Sequence, residues 1–275
     1  MGSRDRGFKG MKRGLATGLF AIAALGAAVI GQSAQADALS EIEQRGTLRV
    51  AVPQDFPPFG SVGTDLQPRG YDIDMANYLA DEMGVALELV SVTSANRVPF
   101  LQTRQVDLVI SSLGKNPERE AMIDFSNAYA PFFLGVFGTS DSEPMGSAEA
   151  LSGKTIGVTR GAVEDMELTE IAPDDTTIQR FEDNATTISA FLSGQVDYIA
   201  TGNLVAAEIA GRNSQRAPAL RYQLKDSPCY IGMNKQEPVL MAKVNELIAQ
   251  ALQDGTLEAL SREWFHAGLP DNFGM

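Results

Sequence analysis

The sequence predicts an α/β protein built as two related lobes with a cleft between them. Three observations predict it. Strand-like and helix-like runs alternate from Thr47 to Ile110, and the same alternation restarts at Lys154 and runs to Ala200. A short stretch of the first run is also echoed in the second: Phe100-Leu101 with Gln105-Val106-Asp107, against Phe191-Leu192 with Gln195-Val196-Asp197. Alternation of this kind argues for mostly parallel sheets covered by helices. Each half then carries a Ser/Thr-bearing loop at the carboxyl end of a buried strand. That end is where ligands bind in open α/β sheets, and two such edges facing each other make a cleft.

Taken in order, residues 47–53 read as a strand. Residues 72–83 read as a helix with Met75, Ala76, Leu79 and Met83 on one face and Gly84 as its stop. Residues 85–92 form a strand, 96–103 a short helix and 106–110 a buried strand. In the second set, 154–158 is a strand, 161–170 a helix, 176–181 extended, 185–193 a helix and 196–200 a strand. The polar, turn-rich segment 138–146 reads as part of a crossover. From Pro238 a last helix places Leu240, Val244, Leu247, Ile248, Ala251 and Leu252 on one stripe until Gly255 breaks it.

The first 36 residues read as a secretory leader. Arg4, Arg6, Lys9, Lys12 and Arg13 precede an uncharged apolar stretch, 15–30, and Ala34-Gln35-Ala36 supplies small residues at the two cleavage-site positions. Cleavage after Ala36 leaves 239 residues with a net charge of −17. Such a surface repels nucleic acid and anionic membrane. Cys229 is the only cysteine, so an intramolecular disulfide is excluded. No phosphate-binding loop, nucleophile elbow or pair of histidines at metal spacing is present, so no cofactor, metal or catalytic residue is expected.

The informative segment is 110–119, which leaves a buried strand through Ser111, Ser112 and Gly114 and reaches Arg119. A guanidinium matches a carboxylate through two parallel hydrogen bonds. The competing reading pairs Arg119 with Glu118, Glu120 or Asp124 on the surface. Phe56 and Tyr71 wall a site by stacking, or belong to the core. Gly161, Ala162 and Val163 run from a strand into a helix start, where free N–H groups suit an anion. Against that, Glu164 and Asp165 already satisfy the helix dipole.

Together, these segments resemble the extracellular solute-binding proteins of ABC-type amino-acid importers, the polar amino-acid group or bacterial family 3. The resemblance covers 40–268 and rests on Gly46-Thr-Leu-Arg-Val-Ala-Val, Pro57-Pro58-Phe59, Gly70-Tyr-Asp-Ile-Asp-Met-Ala, Val106-Asp107-Leu, Pro117-Glu-Arg119, Ile123-Asp-Phe-Ser126 and Trp264-Phe265. It implies a type II periplasmic-binding fold. Lobe one would comprise 37–137 plus 225–275 and lobe two 138–224, with crossovers near Gly138 and Leu224. It also implies a periplasmic protein that captures an amino acid or small carboxylate by hinge closure and presents it to a membrane permease.

In the family, the residue at Arg119 grips the ligand's α-carboxylate beside Ser112 and Gly114. Aromatics at Phe56 and Tyr71 sandwich the ligand, and the backbone of 161–163 contributes from the other lobe. Two positions depart. Gly114 stands where the family often has Ser or Thr. The Asp that holds the α-ammonium falls on Gly202, beside Asn203, which can accept a hydrogen bond but carries no charge. Either Asp55 or another acid substitutes, or the ligand's amine is absent, modified or wet. The resemblance extends to secreted cyclohexadienyl dehydratases, for which Glu164 or Asp165 would have to act as general acid.

Overall fold

The computed structural model describes residues 37–212 and 215–274; the leader and its cleavage after Ala36 lie outside the described residues. The chain opens with helix α1 (Ala38–Arg45), strands β1 (Thr47–Val52), β2 (Asp55–Phe56), β3 (Gly60–Val62) and β4 (Pro68–Arg69), then α2 (Tyr71–Met83) and β5 (Ala86–Ser91). It continues through α3 (Arg97–Gln102), β6 (Leu108–Leu113), α4 (Pro117–Met122) and β7 (Ile123–Ala130). A second set follows: β8 (Phe133–Gly138), β9 (Thr155–Thr159), α5 (Val163–Ile171), β10 (Thr177–Phe181), α6 (Asn184–Ser193), β11 (Tyr198–Gly202), α7 (Asn203–Arg212) and β12 (Ala219–Asp226). The chain then returns with β13 (Cys229–Asn234), α8 (Pro238–Gln253) and α9 (Thr256–Phe265).

Two five-stranded sheets result, ordered β5-β1-β6-β13-β7 and β10-β9-β11-β8-β12. In each, the first three strands run parallel, and the fourth, β13 or β8, runs antiparallel to both its neighbours. The echo read from the sequence falls on equivalent pieces, α3 into β6 and α6 into β11, and both strands sit third in their sheets. Alternation along each strand serves two faces. Val50, Leu108 and Ile110 pack with Met75 and Leu79 of α2 and Leu240, Val244 and Leu247 of α8. Ala51 and Val109 face Val98 and Leu101 of α3 on the other side. The second sheet is likewise covered by α5, through Leu168, and by α6, through Ala190 and Phe191. Burial on both faces is why these strands read as continuous apolar runs.

Three details differ from the sequence reading. Phe133–Gly138 pairs with β11 and β12, so the first crossover lies ahead of Phe133 and not near Gly138. Lys225 and Asp226 also pair with β8, which moves the second crossover from Leu224 to about Ser227. The helix from Pro238 is followed by α9, which starts directly after Gly255 adopts the left-handed conformation, φ 85°. The two crossovers run side by side, joined by Ser227 N–H donating to Phe132 O at 3.0 Å.

Candidate functional site

The carboxyl end of β6 and the start of α3 face the starts of α5 and α6 across a small, tightly closed cavity. Phe56, Ser94, Arg97, Ser112 and Gly114 line it from the first sheet's side. Ala162, Val163, Glu164 and Asn184 line it from the second, and Phe132 and Ser227 on the crossovers close the back.

Arg97 is the one cation on this wall among the described residues. It opens α3, is 5% exposed, and donates Nε–H to Ser111 Oγ at 3.0 Å. No ion pair involves it among the described residues. Burial pulls its pKa down, opposed first by Glu164 and then by Asp72, Tyr129 and Asp55. A buried guanidinium with unused donors facing a cavity is a receptor for an anion.

The strand end beside it is held by Asp72. One carboxylate oxygen accepts from Ser112 N–H at 2.8 Å and the other from Tyr129 O–H at 2.6 Å. Ser112 sits at φ 42°, a conformation costly for a residue with a side chain, and the Asp72 contact supports it. Burial raises the Asp72 carboxyl to about 7, against Tyr129, Ser112 and Arg97, which lower it.

Glu164 is the one carboxylate on the cavity wall among the described residues. It lies in the first turn of α5 and is 7% exposed. Burial raises its pKa, opposed by its own backbone N–H, Arg97 and Arg119. Its neighbour Asp165 faces elsewhere, accepting from Arg180 Nε at 2.6 Å and from Gly161 N–H at 3.1 Å.

The structure sorts the expected site residues. Phe56, Ser112, Gly114, Ala162 and Val163 meet at the cavity. Arg119 is buried but is not on the cavity wall. Asn116 caps α4 by accepting Arg119 N–H at 2.8 Å, and Pro117 starts the helix. The guanidinium then donates to Gly114 O and to Gly161 O, each at 2.9 Å, tying the two lobes together. Burial and nearby Arg97 push its pKa down to about 9, so it stays charged at neutral pH. Gly161 therefore serves the site as a carbonyl that receives Arg119. Ser111 lies behind Arg97 as its acceptor. Tyr71 is a core residue, stacked on Phe265 at 4.4 Å and donating to Tyr129 O. Asn203 accepts from Phe133 N–H at 3.0 Å and lies off the cavity.

Both departures from the family pattern have a physical account. A Cβ at Gly114 would lie 2.5 Å from Ser227 Oγ, so a hydroxyl from the crossover takes the place a Ser or Thr would need. A Cβ at Gly202 would lie 1.6 Å from Phe132 Cζ, so the Phe132 ring takes the place of an acid. Asp55 is engaged across the lobes, accepting from Asn184 N and Nδ2 and from Ala185 N at 2.8–3.1 Å. Arg97, Phe132 and Ser227 were missed by sequence reasoning, and Glu164 entered it only as a helix-dipole partner or general acid; the Asn96-Arg97 pair ahead of the echoed Phe100-Leu101 was the available signal for the first.

No group of three or more His, Cys, Asp or Glu side chains among the described residues is placed to hold a metal ion. No described helix is long and apolar enough to cross a membrane.

Comparison with known proteins gives the family and the fold. The family described as bacterial extracellular solute-binding proteins, family 3, matches residues 48–267. The L-cystine-binding protein TcyJ of Escherichia coli K12 is 26% identical over 251 residues, 91% of this chain and 94% of that one. Among solved structures, the cysteine-binding protein of Campylobacter jejuni superposes with TM-score 0.79 at 26% identity, covering 86% of this chain and 96% of that one. The ancestral amino acid-binding protein AncCDT-1, a precursor of cyclohexadienyl dehydratase, gives TM-score 0.77 at 32% identity, covering 83% of this chain and all of that one.

Proposed function

Because the chain belongs to family 3 of the bacterial extracellular solute-binding proteins, we propose that it works in the periplasm, its leader removed after Ala36. There it captures an amino acid or a closely related small carboxylate and delivers it to a membrane permease. The observation that carries this reading is Arg97, a buried guanidinium without an ion-pair partner among the described residues, on the wall of a small interlobe cavity. The carboxylate docks on Arg97 beside the Ser112 and Ser227 hydroxyls, while Phe56 and Phe132 cover the apolar part. Closure brings Ala162 to Glu164 over it, and Arg119–Gly161 and Asp55–Asn184 fasten the lobes. Hinge closure about two adjacent crossovers is an established way to bury a small ligand. Isothermal titration against L-cystine, L-cysteine, the other common L-amino acids and simple carboxylates tests it. Binding of at least one, with Kd in the micromolar range or below, is expected; no binding by any would overturn it.

A second reading, a secreted dehydratase on this fold, draws on one observation. Glu164 is a buried acid on the cavity wall whose pKa burial raises, which suits a general acid. Turnover of prephenate or arogenate by the purified protein would establish it.

A further inference from the structure

We propose that Glu164 holds the cationic nitrogen of the ligand, working across the cavity from Arg97, so that the pair selects a compact zwitterion. This rests on the solute-binding reading above and adds to it the residue that receives the amine.

The Phe132 ring fills the space at Gly202 where an acidic side chain would have to stand. Asp55 already spends both carboxylate oxygens on the start of α6. Asp165 is paired with Arg180. Glu164 remains, on the cavity wall and fully committed to no other side chain. It stands in the opposite lobe from Arg97. The two are near enough to influence each other's ionisation, yet no ion pair joins them among the described residues. A ligand with one negative and one positive pole fits between them.

The surrounding charge points the same way. Arg97 and Arg119 are the buried cations here, and three carboxylates, Glu164, Asp72 and Asp55, act on Arg97. Asp72 is fixed at the end of β6 and Asp55 on the start of α6, so Glu164 is the carboxylate that faces the ligand across from Arg97. A plain monoanion would satisfy Arg97 but add a negative charge beside Glu164, and buried unpaired charge is costly. A zwitterion adds no net charge and satisfies both poles.

The test is isothermal titration of the whole mature protein with common L-amino acids, each beside its des-amino carboxylate. Suitable pairs are alanine with propanoate, cysteine with 3-mercaptopropanoate, phenylalanine with 3-phenylpropanoate and arginine with 5-guanidinopentanoate. The proposal predicts that the preferred amino acid binds about 30-fold or more tighter than its des-amino partner, the scale for losing one half of a buried charge pair. Glu164→Gln must shrink that preference to a few-fold without weakening the des-amino acid, whereas Glu164→Asp, which keeps the charge, must retain a clear preference. Equal binding of the two members of each pair, or a preference untouched by Glu164→Gln, overturns the proposal and leaves solute binding intact. Binding by neither set overturns the solute-binding reading, and this inference with it.

Discussion

Arg97→Met separates a residue that serves the ligand from one that serves the fold. Arg97 is 5% exposed, bonded through Nε to Ser111 Oγ, and in no ion pair among the described residues. Removing it relieves a desolvation cost of several kcal/mol per buried ion. It also forfeits one charged hydrogen bond, worth about 1.5–3 kcal/mol. The two oppose, so the unliganded variant should melt at the wild-type temperature or above it. Binding behaves differently. Truncating one half of a buried charge pair costs about 2–5 kcal/mol, which is about 30- to 5,000-fold in Kd. At a solute concentration of about 100 times the wild-type Kd, linkage stabilises the wild type by about 2.7 kcal/mol. For a chain of this size that raises Tm by about 5–10 °C. With Kd 30-fold higher, the same concentration gives about 0.9 kcal/mol and at most about 4 °C. Differential scanning fluorimetry with and without solute reads both numbers. A variant that keeps the full ligand-induced shift refutes the assignment of Arg97 to the ligand, and a large loss of unliganded stability makes it a structural residue.

Other consequences follow from the same geometry. Arg119→Met removes both hydrogen bonds of the latch between Gly114 O and Gly161 O; solute should dissociate about 10-fold or more faster with the order of preferred solutes unchanged, measured by stopped-flow fluorescence. Gly202→Asp sets a Cβ 1.6 Å from Phe132 Cζ, so it should cost about 3 kcal/mol or more as an overpacking change, and Phe132→Ala in the same chain should recover most of that in urea unfolding. Asp72 has its folded pKa raised to about 7 from 3.8. A group raised in this way contributes stability that is fully present below about pH 4 and is lost as pH rises through 7. Asp72→Asn should therefore flatten the fall in Tm between about pH 4 and 7, and an unchanged slope would show that Asp72 does not titrate there.

Much of the fold was legible because its central strands are buried on both faces and α1, α2 and α6 end on glycine. Gly84 stops α2 in the left-handed conformation at φ 68°, and the 106–110 and 196–200 runs announced the two central strands. The crossovers were less legible. β8 is as apolar as any strand of the first lobe, and only its pairing with β11 assigns it to the second. Within the site, the approach of Ser112 and Gly114 to the cavity followed from their place at the end of β6. The exchange of roles between two arginines did not. Both are buried, and only the carbonyls of Gly114 and Gly161, one from each lobe, show that Arg119 is used for fastening while Arg97 faces the cavity. Phe132 and Ser227 were invisible because they reach the site from crossovers that are 95 residues apart in sequence and adjacent in space.

A crystal structure of the mature protein with its bound solute would show which arginine holds the carboxylate. The expected result is a ligand carboxylate within about 3 Å of the Arg97 guanidinium, with Arg119 still bonded to Gly114 O and Gly161 O. A carboxylate gripped by Arg119, with Arg97 touching no ligand atom, would contradict it.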